Sequence, residues 1–398
     1  MPSVCLYFQV HQPRRLHNIS FFDLGKQPDY FNDELNEGIL NKVSDNCYLP
    51  ANKLLLNLIK THQGNFKCSF SLSGLVIEQL AKYRPDVIAS FKALADTKCV
   101  EFLGETYYHS LAAFYNREEF DRQIKLHKKA VRKYFGVEPK VFRNTELLYQ
   151  DAITETVHSN GYEGIWIEGS ENNLGKANPN RIYTCHPHEN MVLIPRNFIL
   201  SDEIAFRFHQ KNSTLKADQF TKKLLQLSAP QNSINLGLDY ETFGEHFHQE
   251  EGILSFLSQW INNSMASGKL EFLTPSETID RHYTVKKLIV PHITSWADSE
   301  KNISAWVQND MQKECIEKLY SLRDIIFKLK NRSLQEIWSA LQCSDHFYYM
   351  STKRHADGEV HNYFSPFDSP HSAYIAYINV LTDLELTIDK MKIYKVEE

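Results

Sequence analysis

Phe66-Lys67-Cys68-Ser69-Phe70-Ser71 reads as a short extended segment, and the elements on either side of it decide the fold. Helical patterns fill 74–95 and are split at Pro85, and a second short extended segment occupies 98–103. Working outward in both directions, the same alternation continues. Val4 to Val10 reads as a buried strand, broken by His11-Gln12-Pro13 because proline cannot donate to a ladder. Residues 51–60 are helical, and 117–134 form a charged amphipathic helix stopped at Gly136. Further short strands are expected at 140–145, 163–167 and 233–239, with more strand and helix signals between 191 and 273. Strands alternating with helices over this length point to a parallel sheet closed into a barrel; about seven strands are counted, which leaves an eighth to be located.

Two regions depart from the alternation. Residues 17–50 carry Asn, Asp and Gly and read as an extended loop over a surface. Thr274-Pro275-Ser276-Glu277 is a helix start, with Thr as cap, Pro at the first helical position and Glu three residues on. Beyond about residue 290 the pattern becomes helical at 302–330, 333–341 and 370–392. An aromatic and polar segment, Asp345 to Pro370, lies between. The expected division is a barrel over 1–288 and a helical C-terminal domain over 289–398 that contributes to the substrate cleft.

Composition narrows the partners. The chain has 398 residues, a net charge of −5 and no long basic run, which argues against nucleic acid and favours a neutral ligand. The 24 Phe, 20 Tyr and 5 Trp residues fill cores, with some expected to line a groove where sugar rings stack. Cysteines 5, 47, 68, 99, 185, 315 and 343 are scattered with no C-x-x-C pair, so neither a zinc framework nor a disulfide ladder is implied. No leader-like N-terminus and no apolar run long enough to span a bilayer is seen, so a cytoplasmic protein without membrane partners is expected.

In a parallel barrel the reacting groups sit where strands end. His11 and Gln12 end the first strand, Glu105, Tyr107, Tyr108 and His109 follow the strand at 98–103, and Arg143, Asn144 and Glu146 close the one at 140–145. Asp239, Tyr240, Glu241, Phe243, Glu245 and His246 follow 233–239. Each has a bland reading: a core histidine, a carboxylate favoured by a helix dipole, a cap, a solvated acidic face. Their recurrence at one end of the barrel is what points to a site. Two carboxylates are the minimum equipment for cleaving a glycosidic bond, one attacking or activating water and one protonating the leaving oxygen. Leu238, Tyr240 and Phe243 are placed to wall Asp239, and Arg143 to keep Glu146 ionised. The pattern itself leaves open which carboxylate does which job, and leaves Glu105, Glu241 and Glu245 as candidates.

These segments resemble glycoside hydrolase family 57, specifically its shorter α-amylase-like members. The resemblance is carried by Tyr7-Phe8-Gln9-Val10-His11-Gln12-Pro13-Arg14-Arg15-Leu16, Gly104-Glu105-Thr106-Tyr107-Tyr108-His109-Ser110-Leu111 and Phe142-Arg143-Asn144-Thr145-Glu146-Leu147. It continues in Asp239-Tyr240-Glu241-Thr242-Phe243-Gly244-Glu245-His246, in Trp296-Ala297-Asp298 with Ser304-Ala305-Trp306, and in Tyr348-Tyr349-Met350-Ser351-Thr352-Lys353. It implies an incomplete (β/α)7 TIM-like barrel with a C-terminal helical domain, and a retaining glycosidase acting on α-1,4-glucans, with no cofactor and no metal. It places the nucleophile at Glu146 and the acid/base at Asp239. Substrate-binding roles are expected for His11, Gln12, His109, Arg143 and His246. Trp166 and Trp296 are expected to stack on sugars, with Tyr240, Phe243, Tyr349 and Lys353 completing the cleft. Segment 104–111 departs from the larger glucanotransferases, which have a carboxylate near the position of Tyr108, so no role passes to Glu105. The alternatives are a 4-α-glucanotransferase or branching-type transglycosylase using the same pair, a metal-dependent carbohydrate hydrolase drawing on His109, His246 and His248, or a glucan-binding protein without turnover.

Overall fold

The computed structural model describes residues 1–26, 28–210, 213–353 and 365–396; the stretch 354–364 of the aromatic segment lies outside them. Its strands are β1 (Ser3–Val10), β2 (Cys68–Leu72), β3 (Val100–Phe102), β4 (Val141–Arg143), β5 (Gly164–Glu168), β6 (Tyr183–Cys185), β7 (Val192–Arg196), β8 (His209–Gln210), β9 (Ser213–Thr214), β10 (Ser233–Asp239), β11 (Glu271–Leu273) and β12 (Lys287–Leu288). One sheet runs β10-β1-β2-β3 and a second runs β12-β6-β7-β5-β4. The pairs β10–β1, β1–β2, β2–β3, β4–β5 and β5–β7 are all parallel.

Two narrow seams join the sheets into a ring of seven strands. At the first, the Gly104 amide donates to the Val141 carbonyl (2.9 Å) and the Arg143 amide to the Gly104 carbonyl (2.7 Å). At the second, the Asn197 amide donates to the Asn235 carbonyl (2.7 Å). Side chains complete that seam, Asn235 Nδ2 donating to the Pro195 carbonyl (2.9 Å) and Arg196 Nε to that of Gly237 (2.8 Å). The architecture is therefore the incomplete (β/α)7 barrel that the resemblance implies, and the alternation of elements accounts for its parallel sheet. Every residue of β1 is buried, as suits a strand paired on both sides and covered on both faces.

Helices cover the outside where the sequence pattern places them: Gly74–Tyr83 and Pro85–Asp96 divided at Pro85, and Arg117–Phe135 closed by Gly136 at φ 72°. Thr274 caps the helix Pro275–Arg281 in a full capping box with Glu277. Residues 17–50 are a correction. They contain the helix Asp33–Val43, capped by Asn32, and a wider π turn at Ser44–Tyr48 that runs into Leu49–Thr61. Asn36, Leu40, Val43 and Cys47 recur at helical spacing and are buried. One of these inward positions is polar, which disguises the period: Asn36 Oδ1 accepts from the Arg15 amide (2.9 Å) and so ties the chain leaving β1 to the helix.

After β12 the described chain is helical, from Ser304–Val307 to Pro370–Val396. These helices share a core with the loop after β1, in which Leu16, Ile19, Tyr30 and Phe31 pack with Trp306, Trp338 and Tyr377. Among the described residues no helix is long and apolar enough to cross a membrane, and all seven cysteines are buried free thiols.

The first seam has little room to adapt. A Cβ at Gly104 would lie 2.2 Å from the Tyr162 hydroxyl and 2.4 Å from its ring. Gly104→Ala is expected to destabilise the fold by about 1–3 kcal/mol through overpacking. Urea unfolding measures this; a midpoint equal to wild type would mean the seam does not need the glycine.

Candidate active site

The strand ends β1, β3, β4 and β10 deliver their polar groups to one cleft. Glu146 stands just past β4 in a turn whose backbone is left-handed, with φ 53° at Glu146 and 50° at Leu147. Non-glycine residues there cost roughly 1–2 kcal/mol each, so the surroundings must hold the turn. They do so from the C-terminal side: the Glu146 carbonyl accepts from Ser295 Oγ (2.8 Å) and from the Trp296 amide (3.2 Å). Both carboxylate oxygens are then engaged. His109 Nε2 donates to Oε1 (2.8 Å) and Trp296 Nε1 to Oε2 (2.6 Å). Two donors on one carboxylate favour its ionised form.

His109 also has a left-handed backbone, φ 52°, and is fully buried. Its Nδ1 faces Glu105 Oε2 at 3.4 Å. Burial alone would lower the imidazolium's pKa, but hydrogen bonding and charge from Glu105 and Glu146 outweigh it and raise it to about 9. Arg143, fully buried, lies 3.6 Å from Glu105 and covers the Trp296 ring at 4.9 Å. Burial would raise the Glu105 carboxyl, yet His109 and Arg143 hold it below the ordinary value.

Asp239 ends β10 opposite Gln9 of β1. Two residues on, Glu241 is buried, accepting from the Tyr48 hydroxyl (2.5 Å) and from Gln12 Nε2 (3.5 Å). Burial and the charge of Asp239 push Glu241 up to about 8, so it keeps a proton at neutral pH. Glu245 points elsewhere, its buried carboxylate pairing with the exposed Lys42 at 2.5 Å. The three acids left open by the sequence thus divide: Glu105 supports His109, Glu241 neighbours Asp239, and Glu245 ties the β10 loop to the helix Asp33–Val43.

The cleft has two halves. One, about 570 Å³, is walled by Trp296, Phe206, Leu238, Tyr348, Arg196 and Asp202. The other, about 560 Å³, is lined by His11, Gln12, His246, Glu241, Asp345 and Tyr349. Glu146 and Asp239 line both, and among the described residues they alone do so.

His11, Gln12, His246, Trp296 and Tyr349 therefore line the cleft where the sequence places them, and His109 and Arg143 stand directly behind it. Four expectations need correction. Trp166 is fully buried in the barrel, edge-on to Tyr7 with ring centres 4.7 Å apart, and has no face to offer a sugar. Tyr240 and Phe243 are also fully buried; they pack on Phe8 in the layer between barrel and helices, with the Tyr240 hydroxyl donating to Asn52. The chain turns after Asp239, so these rings face away from it and only Leu238 walls it. Lys353 supports the wall from behind, donating to Asp298 Oδ2 (3.3 Å) and Ser304 Oγ (2.6 Å). Sequence reasoning misses Arg196, Arg15 and Asp345. Arg196, in the otherwise apolar Val192-Leu193-Ile194-Pro195-Arg196, is an arginine closing a buried strand, and that is the readable signal.

Among the described residues, the group suited to a metal ion is His11, His109 and Asp345, one ligand atom each within 4.8 Å. His11 Nδ1 meets the Ser73 hydroxyl (2.6 Å) and Nε2 meets Asp345 Oδ2 (3.0 Å), while His109 Nε2 is on Glu146. Both His11 nitrogens and His109 Nε2 thus already have hydrogen-bond partners. His248 is exposed in a turn with Glu251 and takes no part.

The family model for glycosyl hydrolase family 57 matches residues 5–291. A candidate α-amylase of Methanocaldococcus jannaschii is 37% identical over 399 residues, covering 96% of this chain and 84% of that protein. Among solved structures, the branching enzyme of Pyrococcus horikoshii aligns over 91% of this chain and 87% of its own, with a TM-score of 0.71 and 17% identity. The 4-α-glucanotransferase of Thermococcus litoralis aligns over 87% of this chain with a TM-score of 0.66 and 15% identity. The chain spans only 56% of that enzyme. At these identities the two structures speak to the fold alone.

The raised Glu241 carboxyl has a consequence for stability. Between its ordinary value and about 8 the folded protein holds a proton that the unfolded chain has lost, so this group makes stability fall as pH rises through that window. Glu241→Gln removes the effect, so the variant's stability relative to wild type should rise between about pH 5 and about pH 8. Urea unfolding at both pH values checks it. A constant difference would mean Glu241 is ionised in the fold.

Proposed function

The chain belongs to glycosyl hydrolase family 57, and from that footing we propose that it cleaves α-1,4-glucans with retention, Glu146 attacking and Asp239 serving as acid and then base. Membership makes it a glycosidase. The observation that supports the assignment of residues is the position of Glu146 and Asp239 as the two groups, among the described residues, common to both halves of the cleft. A glucan threaded through would pass its linkage between them.

In the first step a Glu146 oxygen bonds to the anomeric carbon as the bond to the leaving oxygen breaks, and that oxygen takes the proton of Asp239. In the second, Asp239 removes a proton from water, the water oxygen bonds to the anomeric carbon, and Glu146 leaves as carboxylate. His109 and Trp296 hold the Glu146 carboxylate ionised and aimed before attack and receive it back afterwards. Aromatic Trp296 and Tyr348 on one side and polar Gln12, His11 and Asp345 on the other match the faces and hydroxyls of sugar rings. The likeness to a candidate α-amylase supports α-glucan as substrate.

The barrel over 1–288 provides the carboxylates in this reading, and the helical region over 289–398 one wall of the cleft. The seven free buried thiols fit a reducing, cytoplasmic setting.

Incubation with maltooligosaccharides of defined length tests the reading. Products no longer than the substrate, released as the α-anomer, are expected. Longer products would assign the second step to a sugar hydroxyl in place of water, and no turnover of any α-glucan would remove the reading. Glu146→Gln should fold normally and lose activity on the order of 10⁶-fold, as when other covalent nucleophiles are removed. Activity within ~10-fold of wild type would place the nucleophile elsewhere.

A further inference from the structure

Glu105 is a fully buried carboxylate that touches neither half of the cleft. A charge in that position costs several kcal/mol unless its surroundings compensate, so its neighbours indicate what it does. Its oxygens make no short hydrogen bond; the nearest donors are His109 Nδ1 at 3.4 Å and Arg143 Nη1 at 3.6 Å. His127 is also beside it. There Nδ1 accepts the Glu105 amide (3.2 Å) while Nε2 donates to the Leu72 carbonyl (2.7 Å), which makes His127 neutral. Compensation falls to His109 and Arg143.

His109 lies between two carboxylates, one at each ring nitrogen. A neutral imidazole carries one N–H, so it would turn a lone pair on either Glu105 or Glu146. Only the imidazolium satisfies both. On its ring face His109 meets His11, with centroids 3.8 Å apart. His11 is committed to Ser73 and Asp345, and burial and the His109 charge hold it below its ordinary pKa. Glu105, His109, Arg143 and Glu146 then form a closed set of two anions and two cations, with one member reaching substrate.

We infer that Glu105 is a positioning residue for the nucleophile: from behind, it holds His109 as a two-donor imidazolium whose Nε2 fixes the ionised Glu146 carboxylate in the cleft. This rests on Glu146 being the nucleophile. Removing the Glu105 charge leaves an excess cation in a buried site, and His109 relieves it by releasing a proton. Glu146 then loses its charge-assisted partner, while the walls that bind sugar are untouched.

The test uses the full chain with ring-¹⁵N histidine, the His109 signals being assigned by their loss in His109→Asn. In wild type both His109 nitrogens should carry protons at neutral pH. In Glu105→Gln the ring should titrate near the ordinary value of about 6.5. Its kcat on a maltooligosaccharide should fall ~10²-fold, the usual scale for one preorganised donor, with KM within about threefold. Glu105→Asp, which keeps the charge, should restore the imidazolium and part of kcat. An unchanged His109 titration in folded Glu105→Gln overturns the inference, as does a normal kcat. A wild-type protein with no glucan turnover would defeat the functional reading instead, and the ring spectrum would still decide the role of Glu105.

Discussion

The structure depends on keeping one carboxylate charged and aimed inside protein. Glu146 is nearly buried, its backbone is strained, and its neighbours are aromatic, all of which oppose a fixed anion. The opposition is met by donors from two directions. His109 comes from the loop after β3, backed by Glu105 and Arg143, and Trp296 comes from the segment leading into the C-terminal helices. The two hydrogen bonds that Ser295 and Trp296 make to the Glu146 carbonyl tie the segment leading into the C-terminal helices to the end of β4.

The same logic extends around the cleft. The histidine cluster is arranged by charge: a cationic His109 between carboxylates, a neutral His11 stacked on it, and Asp345 and Ser73 fixing the His11 ring. On the β10 side the arrangement reverses. Glu241 is placed where burial and Asp239 keep it protonated, with the Tyr48 hydroxyl on its oxygen. One wall of the site therefore favours an anion, while beside Asp239 a second carboxyl, Glu241, retains a proton.

Much of this is legible in the sequence, for definable reasons. The strand–helix alternation, Pro85, Gly136 and the Thr274 capping box are local signals, and the elements form where they predict. Polar residues at His11, Glu105, Arg143, Glu146 and Asp239 mark strand ends, and a barrel brings strand ends together. Side-chain direction is not legible. Trp166, Tyr240 and Phe243 are aromatic residues in or beside site segments, yet the pleat and the turn after Asp239 send them into the core. The helix Asp33–Val43 is hidden because Asn36, an inward position, is polar and bonds to backbone. Partners distant in sequence, such as Asp345 for His11 and Ser295 for Glu146, leave no local trace.

The central claim is that Glu146 carries the sugar between two inverting steps. A slow 5-fluoro-α-glycosyl fluoride substrate should accumulate this intermediate, and peptide mass spectrometry locates it. The result expected is a single glycosyl adduct on the peptide containing Glu146, absent in Glu146→Gln. An adduct on Glu105, Glu241 or Asp239, or release of a β-anomer without any adduct, would contradict it.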